Sequence, residues 1–460
     1  MTTDALSRQF PMAKPKPCSI HASDTARKAG NAPQPLVSPK ATARPCRHTS
    51  EHHTVNPNPE SEAAPAPDRA IEPNAREPLR LFPLEAMPEP LRGVAIELSG
   101  RTGASTGSVV MAMLGAIAAA AGNQSSFEPW PGRNVPPCLN LLFGCPGADT
   151  VAVLEDVWGP LFAVQRTGAE KLANRDAEWL DAEATKLRRA RAQHLERIPF
   201  PAAADLQYFD APLADIRLAR WPALLRRDPA PGCIDAVAPD HTAVLFTLAG
   251  RAGLAMDYWA SDAGRLEREL LVTGWRQRAN SHTCQSLSGS VSVTMLASPE
   301  ETVRFLTARW AVQSGLAGTF LVVRDDSEPA EQDDSGISRL DCWAEWLRRL
   351  FRWRLEGRPH VVRPSDKARA VPENSARQAS TWAARLSPEH HHMATHRPEQ
   401  LLRVALAIHL GTGQIGAQLS AQTARAASEV SRWLSDQQAR TPFPTARRRS
   451  FRTHQQSLSH

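Results

Sequence analysis

Hydrophobic positions along this chain follow two periods, and their alternation predicts its elements. Prolines in LFPLEAMPEPLRGVAIELSGRTGAS precede Leu91, Val94, Ala95 and Leu98, whose spacing predicts a helix. Residues 106–121 are small and apolar on every side, which predicts a second, buried helix. The apolar run at 139–143 predicts a short strand; it meets a glycine turn at once, and 151–158 then return to helical spacing. Residues 168–198 predict one long charged helix with a thin stripe of Trp179, Leu180, Leu187 and Leu195. An apolar run at 243–249 leads to 253–259 (GLAMDYW), a strand candidate ending in the polar turn 260–264. Further strands are expected at 288–297, where polar and apolar residues alternate, and at 319–323 (TFLVV). Helical spacing returns around Trp343, Trp346, Leu347, Leu350, Phe351 and Trp353, again at 401–408, and at 421–434.

Strands alternating with helices in this way indicate an α/β fold with a mostly parallel sheet. A helical collar precedes it and a helical C-terminal region follows. Composition sets the expected boundaries. Residues 1–78, rich in Pro, Ala, Ser, Lys and His, predict a disordered basic arm; 79–335 the α/β core; 336–438 the helical region; and 439–460 a disordered basic tail.

Charge and cysteine usage narrow the classes. A net charge of +6 and a pI near 9.1 leave room for nucleic acid without establishing it. Seven scattered cysteines without a C-x-x-C pair argue against a disulfide framework and against a structural zinc site. The N-terminus lacks the apolar stretch of a secretory signal, and 109–121 falls short of a bilayer span, so the expectation is a cytoplasmic protein with no membrane partner. His48, His52 and His53 read as solvated side chains in the arm, and the run His390, His391, His392 with His396 argues against a metal site, because consecutive histidines on a helix diverge and no carboxylate or thiol pattern accompanies them.

Candidate chemistry gathers at residues 135–154 (VPPCLNLLFGCPGADTVAVL), which have the strand, tight loop, helix order of a phosphate-binding loop. Such a loop, G-x-x-x-x-G-K-[ST], needs glycines for close backbone approach, a Lys for charge and a hydroxyl for Mg²⁺. Counted from Gly144, Asp149 stands at the second glycine, Thr150 at the Lys and Val151 at the hydroxyl. Moving the frame by one puts Thr150 at the hydroxyl and Asp149 at the Lys. The candidate nucleotide-binding residues are therefore Gly144, Gly147, Ala148, Asp149, Thr150 and Val151, for ATP with Mg²⁺ as cofactor, and neither frame recovers the cation. Asp262, with Asp257 as the lesser choice, is the expected catalytic carboxylate, since an acid ending an apolar strand can orient Mg²⁺ and water. Lys186, Arg188, Arg189 and Arg191 form the densest basic face of the ordered region and the candidate nucleic-acid contact, set against a plain solvated helix face.

Four phrases in order, FPLEAMPEPLRGVAIELSGRTGAS, LNLLFGCPGADTVAVLEDVWGPL, GLAMDYWASDAGRL with SVTMLASPEETVRFL and SGLAGTFLVV, and RPEQLLRVALAIHL with LSAQTARAASEVSRWL, resemble the YfjI-like family of prophage and mobile-element proteins. The resemblance covers residues 81–434 and implies a RecA-like P-loop ATPase core with a helical C-terminal region, in proteins that accompany primase or helicase functions in phage and plasmid replication. DNA, replication proteins or further copies of the chain are the partners it implies. No primase-like segment is expected before the core. The family's Lys-Ser loop ending, its S-D-E-A-G phrase and its G-L-x-x-R-F phrase are met here by Thr150-Val151, by Ala260-Ser261-Asp262-Ala263-Gly264 and by a phrase with Thr319 in place of the arginine. Three departures at sites expected to touch one triphosphate imply a degenerate ATPase with weak or no hydrolysis. A non-enzymatic scaffold that binds nucleic acid or protein through its basic helix and tails is the alternative, and an active ATPase drawing a cation from Arg403 or a neighbouring subunit is a third reading.

Overall fold

A computed structural model describes residues 80–144, 147–198, 203–220, 224–232, 241–248, 250–273, 290–324, 338–357, 359–383, 394–413, 416 and 418–439. The expected arm, the tail beyond 439, His48, His52, His53, His390, His391, His392 and the acidic loop at 325–334 lie outside these residues.

Two helices open the described chain. α1 (Leu91–Thr102) ends at Gly103, whose φ of 78° closes the helix in the left-handed conformation. α2 (Thr106–Ala121) starts where the Ser105 hydroxyl accepts the Ser108 N–H at 3.2 Å, and every residue from Gly107 to Ala121 is buried. A hairpin of β1 (Ser125–Trp130) and β2 (Arg133–Val135) follows, then β3 (Asn140–Phe143), α3 (Ala148–Lys171), α4 (Ala177–Arg197) and α5 (Ala203–Arg220). The order continues β4 (Leu225–Arg227), β5 (His241–Phe246), α6 (Arg251–Ala260), α7 (Arg265–Thr273), β6 (Ser290–Leu296), α8 (Pro299–Thr307), α9 (Arg309–Gln313), α10 (Leu316–Thr319) and β7 (Phe320–Val323). Last come α11 (Leu340–Glu356), β8 (His360–Pro364), α12 (Ala370–Ala383), α13 (Arg397–Gly411), β9 (Gln418–Leu419) and α14 (Ala421–Ala439).

The main sheet has the order β4-β5-β6-β3-β7, and every pair in it is parallel. Numbered by first appearance and read from the β7 edge, its strands run 5-1-4-3-2. Side chains alternate between its faces, as the pleat demands. Leu141, Phe143, Ala243, Leu245, Leu321 and Val323 join the core around α2, α3 and α11. Leu142, Val244, Phe246, Phe320 and Val322 join a second core with α6 to α10. The protein is thus α/β, with helices on both faces of a parallel sheet and helices in the majority.

Three expectations need correction. Residues 253–259 form helix α6, and the apolar run before them is the strand: Ala252, Ala255, Met256 and Trp259 are buried at helical spacing, whereas Leu254 and Asp257 face outward. The long helix expected at 168–198 is two helices. It breaks at 172–176, where the Asp176 carboxylate caps α4 by accepting the Trp179 N–H at 2.6 Å. The collar and the C-terminal region are not purely helical, because β8 pairs with β1 and β9 with β8, all parallel, in a second sheet of order β2-β1-β8-β9. The apolar segment Thr106–Gln124, α2 with the turn after it, is long enough to cross a bilayer by length and composition, but 89% of it is buried within the protein.

Two histidines meet beside the small sheet. His409, near the end of α13, bonds the Gly416 carbonyl through Nε2 at 2.8 Å, and burial holds its pKa below the ordinary histidine value, with His360 adding repulsion. His360 is lowered by burial as well. The unfolded chain, with histidines near pKa ~6.5, therefore takes up protons before the folded one, and stability should fall as pH drops below about 6.5 until the folded values are passed. Urea unfolding across this window should show that loss, with a shallower slope in the His360→Gln/His409→Gln double variant. A wild type of constant stability would refute the assignment.

Candidate functional site

In an open α/β sheet, ligands bind outside the carboxyl ends of the strands, where neighbouring strands send their connections to opposite faces. Here that point lies between β3 and β6. The chain leaves β3 into α3 on the α2 side, and leaves β6 into α8 on the other. The glycine turn expected to bind phosphate therefore sits at the switch point.

Backbone bonds strap this turn down. The Gly144 N–H donates to Val323 O at 2.9 Å, and the Ala297 N–H to Phe143 O at 3.0 Å. A Cβ at Gly144 would lie 3.0 Å from Thr302 Cγ2, so glycine lets the turn approach α8 closely. α8 is fixed in turn by a capping box: the Ser298 hydroxyl accepts the Glu301 N–H at 3.1 Å, and the Glu301 carboxylate accepts the Ser298 N–H at 2.8 Å.

α3 opens at Ala148 with Gly147 as its cap residue, and no side chain caps it. Asp149 is exposed in the first turn, Thr150 is fully buried with its N–H donated to Gly147 O at 3.1 Å, and Val151 is half-buried against the core. Of the amides that would wrap a phosphate, those of Gly144 and Thr150 are already engaged within the protein, and Pro146 has none. Asp149 puts a carboxylate where the helix dipole would otherwise favour an anion.

The other expected site residues lie elsewhere. Asp262 is exposed in the turn between α6 and α7, beyond a ten-residue helix and so about 15 Å of helix from the carboxyl end of β5. Asp257 pairs with Arg304 at 3.4 Å on the outside of α6. Thr319 stands at the start of β7, where its hydroxyl receives Asn140 Nδ2 at 3.3 Å and donates to Leu316 O at 2.8 Å. Arg403 donates to Cys138 O at 3.0 Å, just before β3, and also pairs with Glu399. Thr319 and Arg403 are therefore at the amino edge of the sheet, a strand's length, about 13 Å, from the glycine turn. The three departures expected around one triphosphate do not converge, and Arg403 cannot supply this turn with a cation.

On α4, Lys186, Arg188 and Arg189 are exposed, and Lys186 lies 3.4 Å from Glu183. Arg191 is engaged, donating through Nε to buried Asp210 at 2.9 Å. Among the described residues, no group of three or more His, Cys, Asp or Glu side chains could hold a metal ion.

Sequence reasoning missed two charged residues at the carboxyl edge. Arg324 directly follows β7 beside the turn. Asp228, after β4, has a φ of 43° and reaches across to β5, where its carboxylate accepts the Thr247 N–H and hydroxyl at 2.7 Å each and the Leu248 N–H at 2.9 Å. The signal was present in RRDPAPG, since aspartate is among the few residues that tolerate a left-handed turn. Comparison with protein-family models, with characterised proteins and with solved structures finds no match to this chain.

The Asp228 bonds give a stability prediction. Asp228→Ala should cost about 2–4 kcal/mol in urea unfolding by stranding three donors. Asp228→Gly, which relieves the positive φ, should cost about 1 kcal/mol less. Equal losses would show that the backbone is not strained there.

Proposed function

We propose that the chain is a RecA-like P-loop-fold protein of phage or plasmid origin, associated with DNA replication, that binds ATP weakly and does not hydrolyse it. The observation that carries the fold side of this reading is the glycine turn opening α3 at the switch point of a five-stranded parallel sheet covered on both faces. Its link to replication rests on the four resembling phrases.

Loss of hydrolysis follows from the charges at that turn. Phosphoryl transfer needs cations around the transferring group and a carboxylate to organise Mg²⁺ and water. The helix start favours the frame in which Asp149 takes the place of the Lys and Thr150 that of the hydroxyl. The Asp228 carboxylate at the end of β5 is already engaged by three donors. A triphosphate would meet the Asp149 carboxylate at the mouth, with the Gly144 and Thr150 amides already engaged.

The test is equilibrium binding of a fluorescent ATP analogue with Mg²⁺ to the full-length protein, alongside Asp149→Lys. That position is exposed and should accept the change, whereas a Lys at buried Thr150 would strain the core. Wild-type affinity should be on the order of 1 mM or weaker, and Asp149→Lys should tighten it roughly tenfold to a hundredfold. Micromolar binding by the wild type, or turnover above background, would overturn the reading.

The exposed cations of α4 favour a second reading, a non-enzymatic scaffold that contacts nucleic acid there. Three phosphate contacts through Lys186, Arg188 and Arg189 would give a slope of log affinity against log salt near about −3 on duplex DNA. The slope should collapse when all three are changed to Glu; a wild-type slope near zero would sink this reading.

A further inference from the structure

Three helices on the α2 side of the sheet meet without filling the space between them. α3, α5 and α11 border an open cleft of about 410 Å³, within the range of roughly 300–1,000 Å³ typical of small-molecule sites. It opens along the second half of α3, some 20 Å down that helix from the glycine turn, and shares no residue with it.

The sequence leaves this space open in two ways. Small residues line it: Ala163 and Gly168 from α3, Ala211 and Ala214 from α5. At Gly168 the helices touch so closely that a Cβ would lie 2.3 Å from Leu218 Cδ1, so α3 and α5 meet at that point and part beside it. Both helices also carry an internal proline next to the cavity, Pro160 in α3 and Pro212 in α5. Each removes one helical hydrogen bond and disfavours a straight axis. The cleft is open to solvent at one side and concave at the other, the shape a small ligand can enter and leave.

Floor and rim differ in chemistry. Leu218 and Leu355 are buried and Val164 is half-buried, giving an apolar floor. At the rim Lys171 pairs with Asp215 at 3.0 Å, and Arg348 with Glu345 at 3.2 Å. Arg352, one turn on from Arg348 along α11, is exposed and has no carboxylate partner among the described residues; Glu356 bounds the same side. An occupant therefore meets hydrocarbon below and a guanidinium at the edge, able to take a carboxylate in two parallel bonds.

The geometry points to a binding site for an amphipathic carboxylate, its hydrocarbon body on Val164, Leu218 and Leu355 and its head on Arg352. This site is independent of nucleotide binding at the glycine turn.

Isothermal titration of the full-length protein with octanoate, and with octan-1-ol as its neutral counterpart, tests it. Octanoate should bind one to one with a Kd on the order of 100 µM. Arg352→Glu should weaken octanoate at least tenfold while leaving octan-1-ol within twofold. Ala211→Trp, which fills the mouth from an exposed position on α5, should weaken both at least tenfold. If circular dichroism shows that Ala211→Trp fails to fold, Ala163→Leu takes its place with the same expectation. Absence of saturable binding, a stoichiometry well above one, octanoate binding indifferent to Arg352→Glu, or binding indifferent to the filled cavity would each overturn the assignment.

Discussion

Burial of α2 on all sides is the constraint on which the other layers depend. A sixteen-residue helix with no charged side chain and no polar face cannot rest on a surface, so sheet and helices must close around it. Its glycines set how closely they do so. A Cβ at Gly115 would lie 2.9 Å from Leu141 Cδ1, and one at Gly107 would lie 2.8 Å from Trp433 Cζ2, so β3 and α14 each seat against a bare backbone. Buried Arg354 of α11 then joins the end of α2 to the start of β5, donating to Ala119 O at 2.8 Å and to His241 O at 2.5 Å. The long C-terminal helices are thereby part of the same core as the sheet, and the described residues all fall within one compact unit, Ala75–His460.

The two edges of the main sheet are built for different ends. At the amino edge, polar side chains satisfy one another out of water: His241 Nδ1 lies 2.6 Å from Ser290 Oγ, Ser290 Oγ donates to Asn123 Oδ1 at 2.5 Å, and the Cys138 thiol lies 3.7 Å from the same imidazole nitrogen. These groups clamp strands that converge from distant parts of the chain, and buried polar groups so paired specify one arrangement. At the carboxyl edge the chain instead passes from β3, β5 and β6 into α3, α6 and α8 within a few residues, the first of these passages being the glycine turn. The residues that resembled a catalytic set are divided between these edges and the far end of α6, and an active site requires them within a few ångströms of one reacting group.

The carboxyl edge therefore has a phosphate loop's position without its electrostatics. Position comes from topology, because β3 and β6 send their connections to opposite faces. Electrostatics comes from individual side chains, and here Asp149 carries the wrong sign while Asp228 is bound to the end of β5. Crevice and charge are separable, since the packing of α3 and α8 on the sheet rests on apolar side chains.

Periodicity alone was enough for α1, α2, β3, β6, β7, α11, α13 and α14, and for the α/β class, because each is a run whose apolar spacing matches one period over most of its length. It failed at 253–259, seven residues in which small and large apolar side chains suit either period, at β4 and β9, too short to show any, and at β8 (HVVRP), whose two adjacent valines sit among polar residues and a proline. The break between α3 and α4 was written in Asp176 as a cap, but the charges around it concealed it. The amino-acid sequence also determined, without any coordinates, that the glycine turn carries no lysine where a phosphate loop would have one, since that is a matter of residue identity. Only the tertiary structure could decide that Thr319, Arg403 and Asp262 lie away from the glycine turn, that Asp228 seals the end of β5, and that three helices leave a cavity between them. Those are distances between residues far apart in the chain, and they are set by how layers pack rather than by any local preference.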